Sequence, residues 1–373
     1  MRPSIRELIE SHDPNPPLAQ ASTPPSAWYT DPRILELEQH TVFSHSWRLA
    51  GRSDQVLNPG QYITCEVAGE PILIVKSNDN VLRGFFNVCR HHAAAVMTNS
   101  EGNAEHLRCP YHGWTYDLNG ALIHTPEFAG VANFERSANG LVPVQVADWQ
   151  GWVFAKLEPT GPALPEFLGA DLLGRLEPLK IQRLSWFERR SYFLNCNWKV
   201  FVDNYLDGGY HVPHIHGGLS TVLDNSKYKI EIGERFCLQS SPMTAEKAEI
   251  ETSSVRKGDR AYYFWLYPNF MINIYQDVMD TNLVIPRGVD KTEVIFDYYF
   301  ADVSESARDQ NLASIAVSEQ IQSEDVAICE SVQRGLNSRA YDSGRLSVRR
   351  EAGEHLFHKL LYGDLTAGLA NEF

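Results

Sequence analysis

Apolar and polar positions follow two rhythms along these 373 residues, and the change between them divides the chain. From Trp47 to about Glu158, apolar residues come in short alternating runs broken by turn sequences, the period of strands. Tyr62–Val67 and Pro71–Lys76 flank Ala-Gly-Glu as a hairpin, and Ser-Asn-Asp-Asn leads into a strand over Val81–Val88. Asp-Leu-Asn-Gly closes another pair near Tyr116 and Ala121. Residues 47–158 therefore read as a small antiparallel β-domain. Pro159–Pro165, with three prolines and a glycine, reads as a linker.

Residues 159–373 mix helical and strand periods and form the second domain. Trp198, Phe201, Val202, Tyr205 and Leu206 recur at helical spacing until Gly208-Gly209 ends the run. Strands follow around Tyr262–Tyr267, Met271–Gln276, Leu283–Pro286 and Val294–Phe300. A long helix spans Ala307–Leu336, with a shorter one near the C-terminus. The class is α+β with a mainly antiparallel sheet. Residues 1–46 are a Pro- and Ser-rich arm with a short helix at Ile5–Glu10. A second helix, opened by Asp31-Pro32, should bury Ile34, Leu35, Phe43 and Trp47. This N-terminal region is expected to pack on the second domain.

Composition narrows the function. A net charge of −14 and a pI near 5.4 argue against a nucleic-acid ligand, whose affinity comes from basic patches. Such a charge mildly favours a cationic small molecule, or serves solubility alone. No apolar run approaches the roughly 18 residues of a membrane span. No signal or transit pattern is present, so a cytoplasmic protein or a mature organellar one is expected. The six cysteines are scattered and too few for a disulfide framework.

Two of those cysteines carry chemistry. Cys89-Arg90-His91 and Cys109-Pro110-Tyr111-His112 are separated by seventeen residues within the β-domain. Two Cys-plus-His pairs suit a tetrahedral zinc. They equally suit a [2Fe–2S] cluster with thiolates on one iron and imidazoles on the other. In the second domain, His211, His214 and His216 crowd one short stretch, and spacing alone does not choose among them. A mononuclear Fe(II) site takes two histidines and one carboxylate on one face. On the long helix, Val317, Ile321, Ile328 and Val332 form an apolar stripe, with Glu324 and Asp325 in its gap. Those acids either pair inside, since an unpaired buried charge is expensive, or reach solvent.

The pattern C-x-H…C-x-x-H followed by G-W-T-Y-D-L-N-G resembles the Rieske domain of ring-hydroxylating-type oxygenases. The resemblance implies cluster ligation by Cys89, His91, Cys109 and His112, leaving His92 and His106 outside. Imidazole ligation raises the cluster potential above that of an all-cysteine ferredoxin. Arg83, Arg90, Arg108 and Lys156 would lend an exposed edge positive charge for docking a ferredoxin, or are scattered solvated cations.

The stretch N-W-K-V-F-V-D-N-Y-L-D-G-G-Y-H-V-P-H-I-H, residues 197–216, resembles the N-W-K…N…Y-H-x4-H signature of Rieske oxygenase α-subunits. That implies iron ligation by His211 and His216, with His214 structural and Asn204 part of the signature. E-D-x4-E at Glu324-Asp325…Glu330 implies Asp325 as third ligand. Members carry an acid that bridges the iron site to a neighbouring subunit's cluster, usually three residues before the first histidine. That position is Gly208 here. Asp207 is the nearest candidate and Asp203 the next.

Segments 196–213, 266–273, 279–286, 294–300 and 331–336 are similar to the choline monooxygenase family. The similarity implies O2-dependent oxidation of choline to betaine aldehyde, a ferredoxin-type electron donor and a homotrimer. A quaternary ammonium is best held by aromatic faces, and Tyr263, Trp265 and Tyr267 share one side of a strand. They are equally readable as core aromatics. Other readings are an oxygenase for glycine betaine or carnitine, an aromatic-ring dioxygenase α-subunit, and a plain Rieske electron carrier. His355 and His358 at i, i+3 have a spacing that could bind a metal, but they read by default as a solvated helix face. No Gly-rich nucleotide fingerprint occurs in a strand–turn–helix context.

Overall fold

The computed structural model describes residues 3–243 and 258–370. The chain forms two compact units, Val42–Phe167 and a second made of Met1–Thr41 with Leu168–Phe373.

The first unit is built from ten strands: β1 (Arg48–Arg52), β2 (Gln61–Val67), β3 (Glu70–Lys76), β4 (Leu82–Phe86), β5 (Glu101–Asn103), β6 (Leu107–Arg108), β7 (Thr115–Tyr116), β8 (Leu122–His124), β9 (Pro143–Trp149) and β10 (Trp152–Lys156). Seven form an antiparallel sheet in the order β1-β10-β9-β4-β3-β2-β5, and β6-β7-β8 form a small second sheet. In the β2–β3 hairpin Val67 pairs with Glu70, so Ala68-Gly69 is the two-residue turn. Both have positive φ, +53° and +79°, as a hairpin turn matching strand twist requires. Strand β3 is buried on both faces. Ile72 and Ile74 join Val153 and Ala155 on one side, whereas Leu73 and Val75 join Trp114, Tyr116, Cys89 and Cys109 on the other. That alternation seats the cysteine loops on a packed apolar floor.

The second unit contains β11 (Ser185–Leu194), β12 (Lys229–Ile232), β13 (Phe236–Pro242), β14 (Arg260–Leu266), β15 (Phe270–Ile274), β16 (Val278–Gly288) and β17 (Lys291–Phe300). They pair antiparallel in the order β11-β17-β16-β15-β14-β13-β12. Strands β11, β12 and β13 were not foreseen from the sequence. Helices Trp198–Leu206, Arg308–Leu336 and Ala352–Ala370 belong to the same unit. Asn197 caps the first of these by accepting from Lys199 N at 3.1 Å.

The N-terminal segment is anchored here by a buried charge pair. Lys199 Nζ donates to Glu38 at 2.6 Å and Trp198 Nε1 to the same carboxylate at 2.7 Å, with Glu38 and Lys199 fully buried. The helix Pro32–Glu38 therefore buries Ile34, Leu37 and Glu38, whereas Leu35, expected inside, is only half-buried. Removing one partner of such a pair costs about 3–5 kcal/mol.

The long helix also differs from expectation. Its buried face is Asn311, Ser314, Ile315, Ser318, Gln322, Cys329, Gln333 and Leu336, while Val332 is 44% exposed. The expected stripe is only partly inward: Val317, Ile321 and Ile328 are half-buried, and Ile321 lines a cavity together with Ser318, Gln322 and Asp325. The most buried positions are largely polar, and Asn311 and Gln333 among them bond the backbone of Asp302 and Asn197. No helix among the described residues is long and apolar enough to cross a membrane.

Candidate metal centres

In the first unit, two loops repeat one backbone pattern. Cys89 N donates to Ala94 O and Ala93 N to Cys89 O, at 2.8 and 3.0 Å. Cys109 N donates to Trp114 O and Gly113 N to Cys109 O, at 2.9 and 3.1 Å. Ala93 and Gly113, each four residues after the cysteine, both have positive φ. The result is two matched turns, each presenting a buried, unpaired thiol and an imidazole. The rings of His91 and His112 lie 4.7 Å apart, and His91 stacks on Trp114 at 4.7 Å.

His91 Nδ1 is buried and makes no hydrogen bond. A bare buried acceptor is costly unless something coordinates it, and a metal would. The donor set of two thiols and two imidazoles on twin loops fits a Rieske cluster. His112 is exposed, as are Arg90 and Arg108. His92 and His106 are exposed as well. Lys156 is not a surface cation: it is 1% exposed and donates to Thr160 O and Pro162 O. Arg83 is held by Asp79 at 2.7 Å. Sequence reasoning missed Tyr116, whose hydroxyl lies 3.4 Å from Cys89 Sγ and accepts from Arg90 N at 3.0 Å. Only the fold brings it there.

In the second unit, helix Trp198–Leu206 ends at Asp207, and Gly208-Gly209 turn the chain with φ of +68° and +66°. The turn lets Asp207 reach forward four residues: it accepts from His211 N at 3.0 Å and lies 2.6 Å from His211 Nδ1. A Cβ at position 208 would stand 2.2 Å from Arg350 O, so no acidic side chain fits there. The glycine is a steric requirement, and the nearest acid, Asp207, stands one residue earlier.

The far nitrogens of two histidines converge. His211 Nε2 and His216 Nε2 are 3.1 Å apart, and Asp325 Oδ1 lies 3.7 and 3.2 Å from them. Each of these three groups has its own outer partner. Asp207 holds His211 Nδ1, Glu324 lies 2.7 Å from His216 Nδ1, and Asn204 Nδ2 donates to Asp325 at 2.8 Å. With both Nδ1–H groups donated to carboxylates, two Nε2 lone pairs face each other beside an anion. That arrangement suits a cation at the centre, and outer carboxylates orienting ligand histidines are its usual accompaniment. The same attraction shows in His216: burial opposes its charged form, but Asp325 and Glu324 outweigh that and raise its pKa.

His214 does not join them. It is exposed, with its ring 6.5 Å from that of Tyr210. Asp203 instead accepts from Tyr29 at 2.8 Å and lies 3.0 Å from His358 Nε2. His358, expected on a solvated face, is 1% exposed because Asp203 and Tyr29 provide it with partners. His355 is half-buried. Glu330 caps a neighbouring turn by accepting from Asn195 N at 3.0 Å. Glu324 carried sequence signals, the stripe gap that it shares with Asp325 and the first position of E-D-x4-E, but neither identifies His216 as its partner.

A cavity of about 110 Å3 adjoins the three converging groups and is walled by Phe201, Tyr205, Tyr228, Tyr263, Tyr275 and Phe296. Tyr263 is thus brought to the site. Trp265 and Tyr267 are not among the lining residues. Trp265 packs on Phe357 with ring centroids 5.5 Å apart and donates to Pro268 O, while Tyr267 donates to Asp364 at 2.6 Å. They are core aromatics against the C-terminal helix.

Comparison with known proteins agrees with this architecture. Residues 46–135 match the Rieske [2Fe-2S] domain, and residues 181–363 match the catalytic domain of ring hydroxylating alpha subunits. Choline monooxygenase from Arabidopsis thaliana is 40% identical over 97% of this chain and 87% of its own length. The carnitine monooxygenase oxygenase subunit of Escherichia coli K12 is 32% identical over 95% of this chain and 96% of its own. A solved quaternary ammonium Rieske monooxygenase superposes with a TM-score of 0.84 at 27% identity, covering 97% of this chain and 99% of that one. With both domains matched and a relative this similar along almost its whole length, the chain belongs to the Rieske-type non-haem iron oxygenases, enzymes that carry a [2Fe–2S] domain and a mononuclear iron catalytic domain.

Proposed function

We propose that this chain is the oxygenase component that oxidises choline to betaine aldehyde, using O2 and electrons from reduced ferredoxin. The observation that carries this reading is the aromatic cavity beside His211, His216 and Asp325. Aromatic faces hold a trimethylammonium group by cation–π attraction without needing a counter-charge. The lining contains six Phe and Tyr rings and, among the described residues, no Lys or Arg to receive a substrate carboxylate. The similarity to choline monooxygenase at 40% identity supports the same substrate.

The roles follow from the contacts. His211, His216 and Asp325 would hold Fe(II), and Cys89, Cys109, His91 and His112 the cluster. When bound, these centres supply O2 activation and electron storage. Asp207 and Glu324 keep the ligand histidines in the tautomer that frees Nε2, and Asn204 orients Asp325. The rings of Tyr263, Tyr275 and Tyr205 hold the cationic end of the substrate and keep bulk water out. Asp207 serves also as the bridging acid through which a neighbouring chain's cluster is coupled to His211, which makes a homotrimer the working assembly. The exposed Arg90 and Arg108 lie beside the cluster loops and would meet an acidic ferredoxin. A cytoplasmic location belongs to the same proposal, since O2 and a reduced carrier are both available there.

Oxygen uptake with photoreduced ferredoxin, measured across choline, glycine betaine, carnitine and an aromatic acid, tests the reading. Choline should drive uptake with betaine aldehyde as product. Uptake with carnitine or the aromatic acid but not with choline would replace it.

A further inference from the structure

One polar group in the aromatic cavity has no partner. Gln322 is 2% exposed, lines the cavity together with Asp325, and its amide nitrogen makes no hydrogen bond. The neighbouring amides are engaged. Gln239 donates to Tyr205 O at 2.6 Å and accepts from Tyr228 at 3.1 Å. Asn204 donates to Asp325 and Asn273 to Asp280, at 2.8 and 2.6 Å. Among the described lining residues, Gln322 alone keeps a buried side-chain polar atom in this state. An unmet buried donor costs about 1–3 kcal/mol, so native structures keep few of them. Packing does not call for an amide here, because a methionine would fill similar volume without the penalty.

Gln322 and Asp325 stand at i, i+3 on one helix, so their side chains emerge from the same face. A ligand atom meeting the amide is thereby held on the Asp325 side of the cavity. The sheet contributes Tyr263 and Tyr275 to the same lining.

We propose that Gln322 hydrogen-bonds the hydroxyl oxygen of the substrate and so decides which carbon is presented beside Asp325. The proposal rests on the quaternary ammonium reading above and adds to it a residue that sets specificity and regiochemistry. A hydroxyl both donates and accepts, so either orientation of the amide satisfies it. A carboxylate only accepts and is best met by a charged donor. The described lining offers neither Lys nor Arg. The neutral amide therefore favours an alcohol over a carboxylated zwitterion. It also favours reaction at the hydroxyl-bearing carbon over an N-methyl group.

The test compares choline with ethyltrimethylammonium, which has the same cation and lacks the hydroxyl. Calorimetric titration of the full-length holoprotein should show choline binding about tenfold more tightly, the worth of one buried hydrogen bond. Gln322→Met should bring the two within about twofold by loosening choline alone. Its turnover should release formaldehyde from N-demethylation alongside betaine aldehyde. Equal loosening of both cations, or an unchanged preference for choline, overturns the proposal and leaves the functional reading standing. If the unsubstituted protein binds neither cation, the functional reading itself fails and this one with it. Should the methionine variant lose its fold by circular dichroism, Gln322→Asn withdraws the amide by one carbon and is judged by the same ratio.

Discussion

His211 and His216 bring their Nε2 atoms to 3.1 Å while each turns its Nδ1 onto a different carboxylate. Asp207 comes from the end of the preceding helix, and Glu324 from a helix more than a hundred residues further along. This outer pair fixes both tautomers at once.

Glu324→Gln leaves an acceptor for His216 but removes the charge. Iron affinity at the mononuclear site should fall about 10- to 100-fold, the usual effect of losing an outer carboxylate. Chelator competition against the reduced protein measures this, with the cluster absorbance unchanged as internal control. Unaltered iron retention would deny Glu324 its role.

Asp207→Asn keeps an oxygen for His211 Nδ1–H but removes the charge, so iron affinity should fall as in Glu324→Gln, and the variant is loaded with excess Fe(II) before assay. Electron delivery to the iron site should nevertheless slow by orders of magnitude. Single-turnover oxidation of the reduced cluster, followed by stopped flow with choline and O2, reads it directly. A normal rate would mean that the coupling runs through another residue.

Gly208→Ala places a Cβ 2.2 Å from Arg350 O at a φ of +68°. Backbone strain of this kind costs about 1–3 kcal/mol, and the clash adds to it. Thermal unfolding should shift down by several degrees. An unshifted transition would show that the Gly208–Arg350 approach is loose.

Burial, with His358 adding to it, lowers the His12 pKa to about 4 from an ordinary value near 6.5. The folded protein thus binds this proton less readily than the unfolded chain. Stability from this group is complete above about pH 6.5 and is lost as pH falls through 4. His12→Asn should flatten the difference in urea midpoint between pH 7 and pH 4.5. An identical pH profile would contradict it.

Much of the candidate site is legible in the sequence because its spacing is local. The two cysteine loops each fit within a single turn, and His211 and His216 sit five residues apart, so motif and geometry coincide. What escapes is whatever depends on packing between distant segments. Glu324 reads as an ordinary boundary acid until the fold lays it against His216. The long helix looks apolar at Val317, Ile321, Ile328 and Val332, yet it turns Ser318 and Gln322 inward beside Ile321 and Asp325, where they border the aromatic cavity. Trp265 and Tyr267 share a strand face with Tyr263, but alternation says nothing of what covers each residue. The C-terminal helix covers Trp265, and the cavity receives Tyr263. Gly208 looks like a lost acid in sequence and is a steric requirement in the fold.

The central claim is that His211, His216 and Asp325 bind an iron beside the cavity that receives choline. Nitric oxide added to the reduced protein reports on such an iron by an S = 3/2 EPR signal distinct from that of the cluster. The signal should be present in the unsubstituted protein and change shape when choline is added. It should vanish in Asp325→Ala while the cluster signal persists. A protein carrying the cluster signal but no nitrosyl signal, or one whose nitrosyl signal survives Asp325→Ala, would contradict the account.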